Sequence, residues 1–316
     1  MPPAVTQSAD KAPAAASRAP IGADEGRHRF RVADYAVILK PRVMSLVVFT
    51  AAVGMALAPG SIGPLSALIA IACIAAGAGA SGAVNMWYDQ DIDRTMQRTM
   101  HRPIPAGRMR PAAALAVGVL LGFAAVAVMA WRINLTAAGL LALTILYYVF
   151  IYTIWLKRRT PQNIVIGGVS GALPPLIGWA AVDGEIGLGA AVLFAIIFLW
   201  TPPHSWALAL FRNSDYVAAN VPMMPVVAGE RSTKRLMLVY TALLLPTTLL
   251  PPFVGLAGWS YEIAAGLLGA GFAAHAIRLW RAPDVAPARP MFLYSILYLF
   301  LIFVALLADR ALTRFL

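Results

Sequence analysis

The feature that most constrains this chain is a series of nine apolar stretches, each of about 18–25 residues. About 20 apolar residues form a helix long enough to cross a hydrocarbon core of about 30 Å. No stretch alternates between apolar and polar residues, as the strands of a membrane barrel do. We therefore predict an all-α integral membrane protein with nine transmembrane helices, over residues 37–58, 64–87, 111–131, 134–156, 163–182, 186–210, 236–256, 260–279 and 290–309.

The overall composition excludes a soluble domain. Hydrophobic residues make up 60% of the chain and charged residues 12%, whereas a soluble domain has about 25% charged residues. Residues 1–33 differ from the rest, because they are rich in Ala, Pro, Ser and charge and contain no apolar run. We predict a disordered cytoplasmic tail over residues 1–33 and one membrane domain over residues 34–316.

The net charge of +11 could indicate nucleic-acid binding, but the positions of the basic residues favour membrane topology. In the nine-helix prediction, all Lys and Arg residues except three lie on one side of the membrane, in alternate loops. The three exceptions are Arg132, Arg310 and Arg314. Since Lys and Arg collect on the cytoplasmic side, we predict a cytoplasmic amino terminus, an outer carboxyl terminus and no nucleic-acid partner.

Three oxygen-bearing side chains end the second predicted helix. Asn85, Asp89 and Asp93 are spaced i, i+4 and i+8, which sets them along one helical face. Carboxylate and amide oxygens suit Mg²⁺ held together with a phosphorylated ligand. The alternative is a hydrated helix end whose carboxylates pair with nearby arginines. Asp91 lies off this stripe, and we expect it to be solvated or paired locally.

Basic side chains follow the carboxylate stripe at close range. Arg98 and Arg102 come just after it, and Lys157 and Arg158 follow the fourth predicted helix. A diphosphate would reconcile these two charges, because metal ions and arginines would bind its oxygens together. The alternative interpretation is that these residues are only topology-setting or interfacial charges.

A second polar group ends the sixth predicted helix, after the pair Pro202-Pro203. His204 and Arg212 are spaced i and i+8, and Asp215 follows. Asp215 could help to hold a second ion or pair with Arg212. A histidine beside a proline pair in a membrane span is a candidate site residue, although a structural role is the alternative.

These motifs resemble a known family. The Asn-x-x-x-Asp-x-x-x-Asp stripe followed by Arg-Thr-x-x-Arg-Pro is similar to the first aspartate-rich motif of the UbiA superfamily of intramembrane prenyltransferases. Four further blocks resemble the heme O synthase branch of that superfamily, namely Lys40 to Arg42, Tyr152 to Gly168, Ala172 to Trp179, and Trp200 to Pro225.

The resemblance implies transfer of a farnesyl group from farnesyl diphosphate to a vinyl group of heme B, with addition of water to give heme O. In that reaction Asn85, Asp89 and Asp93 would hold Mg²⁺, the divalent metal cofactor. The other roles are also implied by the resemblance: Arg98, Arg102, Lys157, Arg158 and Arg42 would bind the diphosphate, Tyr148 and Tyr152 would stabilise a farnesyl cation, and His204 would contact heme iron or a propionate.

The resemblance also implies a location and partners. The expected location is the inner membrane, or the mitochondrial inner membrane in a eukaryote, with the active site at the cytoplasmic face. The lipid bilayer surrounds the protein, and a heme A synthase or an oxidase assembly factor is a candidate partner. Two positions depart from the family pattern, which usually has Phe at Ser205 and commonly Gly at Asn220.

Two other functions stay open at this stage. A related prenyltransferase could act on a quinone precursor or a chlorophyllide-like acceptor, but the region after the sixth helix has only Asp215 where quinone-pathway relatives have several aspartates. That difference favours the heme branch. A small-molecule transporter is the non-enzyme alternative, and it would carry ionisable residues near the bilayer midplane instead of at one face.

Overall fold

The computed structural model describes residues 31–315, without the side chains of residues 42, 43 and 313–315. The described part contains helices and no strands. Thirteen α-helices follow one another: α1 Val32–Ile38, α2 Pro41–Leu57, α3 Pro64–Tyr88, α4 Gln90–Thr95, α5 Pro111–Arg132, α6 Leu135–Leu146, α7 Asn163–Ala172, α8 Pro174–Asp183, α9 Leu188–Phe211, α10 Asn213–Ala218, α11 Met224–Thr248, α12 Trp259–Arg281 and α13 Ala288–Phe315. A π-helix (Tyr147–Leu156) continues α6, and a 3₁₀ turn (Pro251–Val254) follows α11.

Seven helical segments in residues 31–315 are long and apolar enough to cross a membrane: Pro64–Tyr88, Pro111–Arg132, Leu135–Leu156, Asn163–Asp183, Leu188–Phe211, Trp259–Arg281 and Ala288–Leu312. Seven of the nine predicted stretches match them closely. The stretch 37–58 corresponds to α2, whose apolar part is the shorter Met44–Leu57. The stretch 236–256 is displaced, because α11 begins at Met224 and Gly229 interrupts it with a φ of 77°. The number nine stays a prediction.

Most of the predicted tail lies outside the described residues. Residues 1–30 are not described, and α1 begins at Val32, two residues before the predicted boundary at residue 34.

Close contact between α2 and α8 depends on two glycines. A Cβ atom on Gly54 would lie 2.2 Å from the carbonyl oxygen of Pro175, and one on Gly178 would lie 2.0 Å from that of Ala51. Each glycine therefore lets the backbone of the other helix approach, as small residues do between membrane helices. Gly167 similarly lets the ring of Tyr152 approach, because a Cβ on Gly167 would lie 2.3 Å from Cδ2 of that ring.

Polar contacts bring the charged loops together at one end of the bundle. Lys40, before α2, bonds to Asn85 at the end of α3, and Lys157, after the π-helix, bonds to Asp89. The backbone amide of Gln97 donates to Asp215 on α10, and Lys234 near the start of α11 donates to the carbonyl of Ala282 after α12. We call this end, defined by these pairs, the polar end. The segments that the topology prediction assigns to one side of the membrane meet there.

The π-helix was not predicted. From Tyr147 to Leu156 the backbone follows i→i+5 hydrogen bonding, and its last bond runs from the amide of Lys157 to the carbonyl of Tyr152 at 2.9 Å. π-helical turns are rare and frequent at functional sites. Because a π-turn is wider than an α-turn, the side chain of Lys157 leaves the helix in a different direction from the one it would take at the end of a regular α-helix.

Two other local features concern the sequence motifs. Pro202 and Pro203 lie inside α9, and the helix continues past them to Phe211. Asn220 adopts a φ of 51° after α10. A positive φ favours Gly first and Asn next among ordinary residues, which explains how Asn220 can occupy a position where the family commonly has Gly.

Candidate active site

The predicted carboxylate stripe spans a helix junction. Helix α3 ends at Tyr88, Asp89 is the junction residue, and α4 begins at Gln90. The i+4 spacing survives, because the amide of Asp89 bonds to the carbonyl of Asn85 and the amide of Asp93 to that of Asp89. All three side chains are buried, with exposures of 4% for Asn85, 0% for Asp89 and 2% for Asp93.

Asn85 connects three parts of the chain. Its amide oxygen accepts from Lys40 Nζ at 2.8 Å, and its Nδ2 donates to Asp89 Oδ2 at 2.7 Å and to Thr153 Oγ1 at 3.2 Å. Thr153 is fully buried in the π-helix. Asn85 thereby fixes the orientation of the Asp89 carboxylate against the π-helix. Lys40 and Thr153 were not singled out as site residues from the sequence, because they lie 45 and 68 positions away from Asn85.

Asp89 is the most deeply buried acid at this end. Lys157 Nζ bonds to its Oδ2, and Arg158 Nη2 lies 3.6 Å from its Oδ1. A buried carboxylate needs such cations nearby, since an unpaired charge in a dry site is strongly unfavourable. Oδ1 nevertheless has no hydrogen-bond partner within the described residues. Asp89 therefore has two cations beside it but hydrogen bonds at one oxygen only.

Asp93 and Asp91 each bind an arginine. Arg102 Nη1 lies 2.7 Å from Asp93 Oδ2, which is the pairing of a stripe carboxylate with a nearby arginine that the alternative interpretation expected. Asp91, off the stripe as predicted, receives two 2.7 Å hydrogen bonds from Arg158. These bonds lower the pKa of Asp91 below its ordinary value. Arg158 also lies over the ring of Tyr88, 4.7 Å from its centroid.

Lys40 is held in an unusual backbone conformation, with a φ of 52°. For a residue with a Cβ, such a conformation is sparsely populated and is found mainly at functional sites. Burial, together with the cations Arg102 and Lys157, lowers the pKa of Lys40 to about 7. Three cations from three separate segments thus gather around the two buried carboxylates Asp89 and Asp93.

Arg98 is exposed and has no ion pair within residues 31–315. It lies within electrostatic range of Tyr152 and Tyr216. Tyr148 and Tyr152 are in contact, with ring centroids 5.3 Å apart. This free cation and the tyrosine pair therefore lie at the same part of the polar end.

Asp215 is part of the polar end, whereas Arg212 and His204, which the sequence placed in the same group, are not. Its Oδ1 accepts from the amide of Gln97 at 3.3 Å, while its buried Oδ2 has no partner within the described part of the chain. The alternative pairing with Arg212 is not formed. Arg212 is exposed at the end of α9 and lies 5.8 Å from the ring of Phe211.

His204 belongs to a different cluster, on α9 and α13. Its ring stacks between Trp200 and Phe292, with centroids 4.1 and 4.8 Å away. Its Nδ1 lies 2.7 Å from Ser295 Oγ, and that hydroxyl donates to the carbonyl of Phe292 at 2.7 Å. Since Ser295 has one proton, its oxygen accepts from Nδ1–H, and His204 keeps the lone pair of Nε2.

The structure brings together six of the candidate residues through direct contacts: Asn85, Asp89, Asp93, Arg102, Lys157 and Arg158. The side chain of Arg42 lies outside the described residues. No three His, Cys, Asp or Glu side chains converge as a metal cluster within residues 31–315. A cation at Asp89 would therefore rely on one or two carboxylates, the amide oxygen of Asn85 and oxygens of a bound ligand.

Comparison with known proteins agrees with this geometry. The family model described as the UbiA prenyltransferase family matches residues 47–304. A protoheme IX farnesyltransferase of Parvibaculum lavamentivorans is 57% identical over 284 residues, which cover 88% of this chain and 89% of that protein.

Solved structures share the fold at low sequence identity. A digeranylgeranylglyceryl phosphate synthase superposes with a TM-score of 0.74 at 16% identity, covering 88% of this chain and 98% of that one. A UbiA homologue from Archaeoglobus fulgidus, solved with DMAPP and Mg²⁺, gives 0.61 at 15% identity, covering 86% and 99%. The chain therefore belongs to the UbiA prenyltransferase family.

Proposed function

We propose that this chain transfers the farnesyl group of farnesyl diphosphate to a vinyl group of heme B, with addition of water, to give heme O and diphosphate. The observation that carries the proposal is the buried Asp89. It is held between Asn85 and two cations, and one of its oxygens has no hydrogen bond. The choice of heme B as acceptor is supported by the 57% identity to a protoheme IX farnesyltransferase.

The diphosphate binds at the polar end. Arg98 is exposed there and has no ion pair within the described residues, while Arg102 and Lys157 are held by Asp93 and Asp89. When the diphosphate arrives, these two cations turn from the carboxylates towards its oxygens, and Arg158 and Arg42 supply further positive charge. Such charge-assisted contacts stabilise the negative charge that develops on a leaving diphosphate.

Asp89, Asp93 and Asn85 would hold Mg²⁺, which would supply Lewis-acid stabilisation of the leaving diphosphate. The fit rests on Oδ1 of Asp89, which has no hydrogen bond. The amide oxygen of Asn85 would then bind the metal in place of its hydrogen bond from Lys40. Asp215, which also has an unpaired buried oxygen, is a candidate for a second ion.

The reaction breaks the bond between the allylic carbon and oxygen, and its electron pair leaves with the diphosphate. The tyrosine pair Tyr148 and Tyr152 faces the resulting positive charge, which aromatic rings stabilise. The terminal vinyl carbon of heme B then forms the new carbon–carbon bond. Water adds to the adjacent carbon and releases one proton, which balances the reaction.

The heme lies beside α9 and α13. The bare Nε2 of His204 is the natural iron ligand, because Ser295 fixes the proton on Nδ1. Trp200 and Phe292 hold the imidazole plane from both sides. Arg212, exposed at the end of the same helix, supplies a cation for a propionate.

For the membrane arrangement, we infer nine spans, the seven found plus α2 and α11. The amino terminus and the polar end face the cytoplasm, and the carboxyl terminus lies outside. Support comes from the basic segments that meet at the polar end. The membrane is the bacterial inner membrane, and a heme A synthase or oxidase assembly factor is the proposed partner.

The reaction is tested with membranes that contain the protein, supplied with farnesyl diphosphate and heme B and analysed by mass spectrometry of the extracted hemes. We expect heme O in the presence of Mg²⁺ and none after chelation. Parallel incubations with a quinone precursor or a chlorophyllide acceptor test the other acceptors. Prenylation of one of these without heme O would contradict the proposal.

The heme position has a separate spectroscopic test. Purified protein loaded with ferric heme B should give the absorption and EPR spectra of a histidine-ligated iron. His204→Gly should lose that signature and regain it with added imidazole. Ser295→Ala should weaken heme binding without removing the ligand. An unchanged spectrum in His204→Gly would exclude this ligand.

A further inference from the structure

A groove at the end of α12 is separate from the residues assigned above. It has a volume of about 580 Å³ and lies between the last turns of α12 and the connection to α13. We call it the α12 groove. Its lining consists of Ala274, Ile277, Arg278, Arg281, Ala282 and Pro287.

The lining combines an apolar channel with two free cations. Arg278 and Arg281 are three positions apart on α12, so their side chains leave the same face one turn apart. Both are exposed, and neither has an ion pair within residues 31–315. The nearby Asp284 forms no ion pair with either arginine, and its Oδ1 accepts from the amide of Ala286.

The two arginines are not needed to cap α12. Cations often end a helix because they bind its last carbonyls. Here the buried Lys234 does so from α11, with bonds of 3.1 Å to the carbonyl of Ala282 and 2.6 Å to that of Asp284. Lys234 therefore fixes the connection between α12 and α13 and leaves Arg278 and Arg281 free to face outward.

The groove lies at the polar end of the bundle, where spanning helices leave the hydrocarbon layer. Trp280, 49% exposed on the same last turn, is a residue type that settles at the membrane interface. Basic pockets beside membrane helices at this depth bind anionic headgroups. A ligand here meets two positive charges at one end and the methyl groups of Ala274 and Ile277 at the other.

We propose that the α12 groove binds an anionic phospholipid of the bilayer. Its phosphate lies between Arg278 and Arg281, and an acyl chain runs along Ala274 and Ile277. A single anionic headgroup satisfies both arginines, and the apolar part of the groove accepts a chain that free phosphate lacks.

The test uses the full chain, purified in detergent and incubated with phosphatidylglycerol or phosphatidylcholine of equal chain length. Native mass spectrometry measures the bound lipid. We expect about a tenfold preference for phosphatidylglycerol, and inorganic phosphate should not displace it. Equal binding of the two lipids would overturn the proposal without any variant.

Two double variants then locate the site. Arg278→Gln with Arg281→Gln should abolish the preference for phosphatidylglycerol. The matched control, Arg231→Gln with Arg235→Gln, removes the same charge from the polar end of α11, outside the groove lining, and should keep the preference. If the control loses it equally, the lipid responds to general surface charge and the α12 groove is not its site.

Discussion

Two buried carboxylates at opposite ends of the bundle are stabilised in different ways. Asp309 on α13, 3% exposed, accepts from the amide of Gly258 at 2.6 Å, from the amide of Tyr261 at 3.2 Å and from the hydroxyl of Ser260. These donors belong to the start of α12, so Asp309 caps that helix from a neighbouring one. Asp89 has instead Asn85, two cations on long side chains and one oxygen without a hydrogen bond.

The difference is between an acid held by backbone donors and one held by cations on long side chains, as the proposed ligand site requires. Backbone amides cannot leave Asp309, and a helix start favours negative charge. The long side chains of Lys157 and Arg158 can turn away from Asp89 when a competing anion arrives. Burial alone therefore does not distinguish a functional carboxylate from a structural one. The distinguishing features are whether its partners can move away and whether both of its oxygens have hydrogen bonds.

The largest expected effect is on Asp89. Asp89→Asn keeps the shape of the side chain but removes the charge, and we expect heme O formation to fall about 1000-fold. The thermal midpoint in detergent should change little. The matched substitution Asp309→Asn should leave the activity of each folded molecule nearly intact. Equal loss of activity in the two variants would show that Asp89 and Asp309 do not differ in function.

A smaller loss is expected for Lys157→Gln. The variant leaves Asp89 with Arg158 alone and weakens the diphosphate site, so we expect about a 100-fold decrease in activity. Lys157→Arg restores the charge and should recover part of it. The KM for farnesyl diphosphate is the measurement that separates a binding defect from a folding defect, since it should rise in the Gln variant. An unchanged KM would remove Lys157 from the diphosphate site.

For Asp309 the expected effect is on stability. Asp309→Ala leaves the amides at the start of α12 without their acceptor, which costs about 1–3 kcal/mol of unfolding free energy. Thermal or denaturant unfolding in detergent measures it. Ser260→Ala removes one donor of the same group and should cost less. A fully stable Asp309→Ala protein would show that α12 does not need this cap.

The smallest effect is expected for the exposed pair of Asp91 and Arg158. Hydrogen bonds from Arg158 lower the pKa of Asp91, so the pair stabilises the fold above the ordinary Asp pKa. That contribution is lost as the pH falls through the lowered pKa. Asp91→Asn should change activity less than threefold at neutral pH, because exposed pairs contribute little. A loss as large as that of Asp89→Asn would place Asp91 in the site.

The sequence predicted the local parts of this molecule well. Apolar length alone located seven spans, and the spacing of Asn85, Asp89 and Asp93 predicted a shared face that survives the junction at Asp89. Both signals depend on neighbours within a few turns. The resemblance to the prenyltransferase superfamily is confirmed by the family match.

Contacts between distant segments were not predictable in the same way. Nothing near Lys40 or Thr153 indicates that they meet at Asn85, since that depends on how α2 and the π-helix pack against α3. The sequence also placed His204, Arg212 and Asp215 together at the end of the sixth predicted helix. Packing instead turns His204 towards Ser295 on α13 and sends Asp215 to Gln97.

In the π-helix between Tyr147 and Leu156, the number of residues matters more for the backbone geometry than the identity of the apolar side chains. Conservative exchanges of its apolar side chains leave the wide turns intact. Deletion of one residue would return a turn to α geometry and rotate every later side chain by about 100° around the axis. Lys157 would then face away from Asp89, so the apolar positions of this segment should tolerate conservative substitutions, whereas its length should not change.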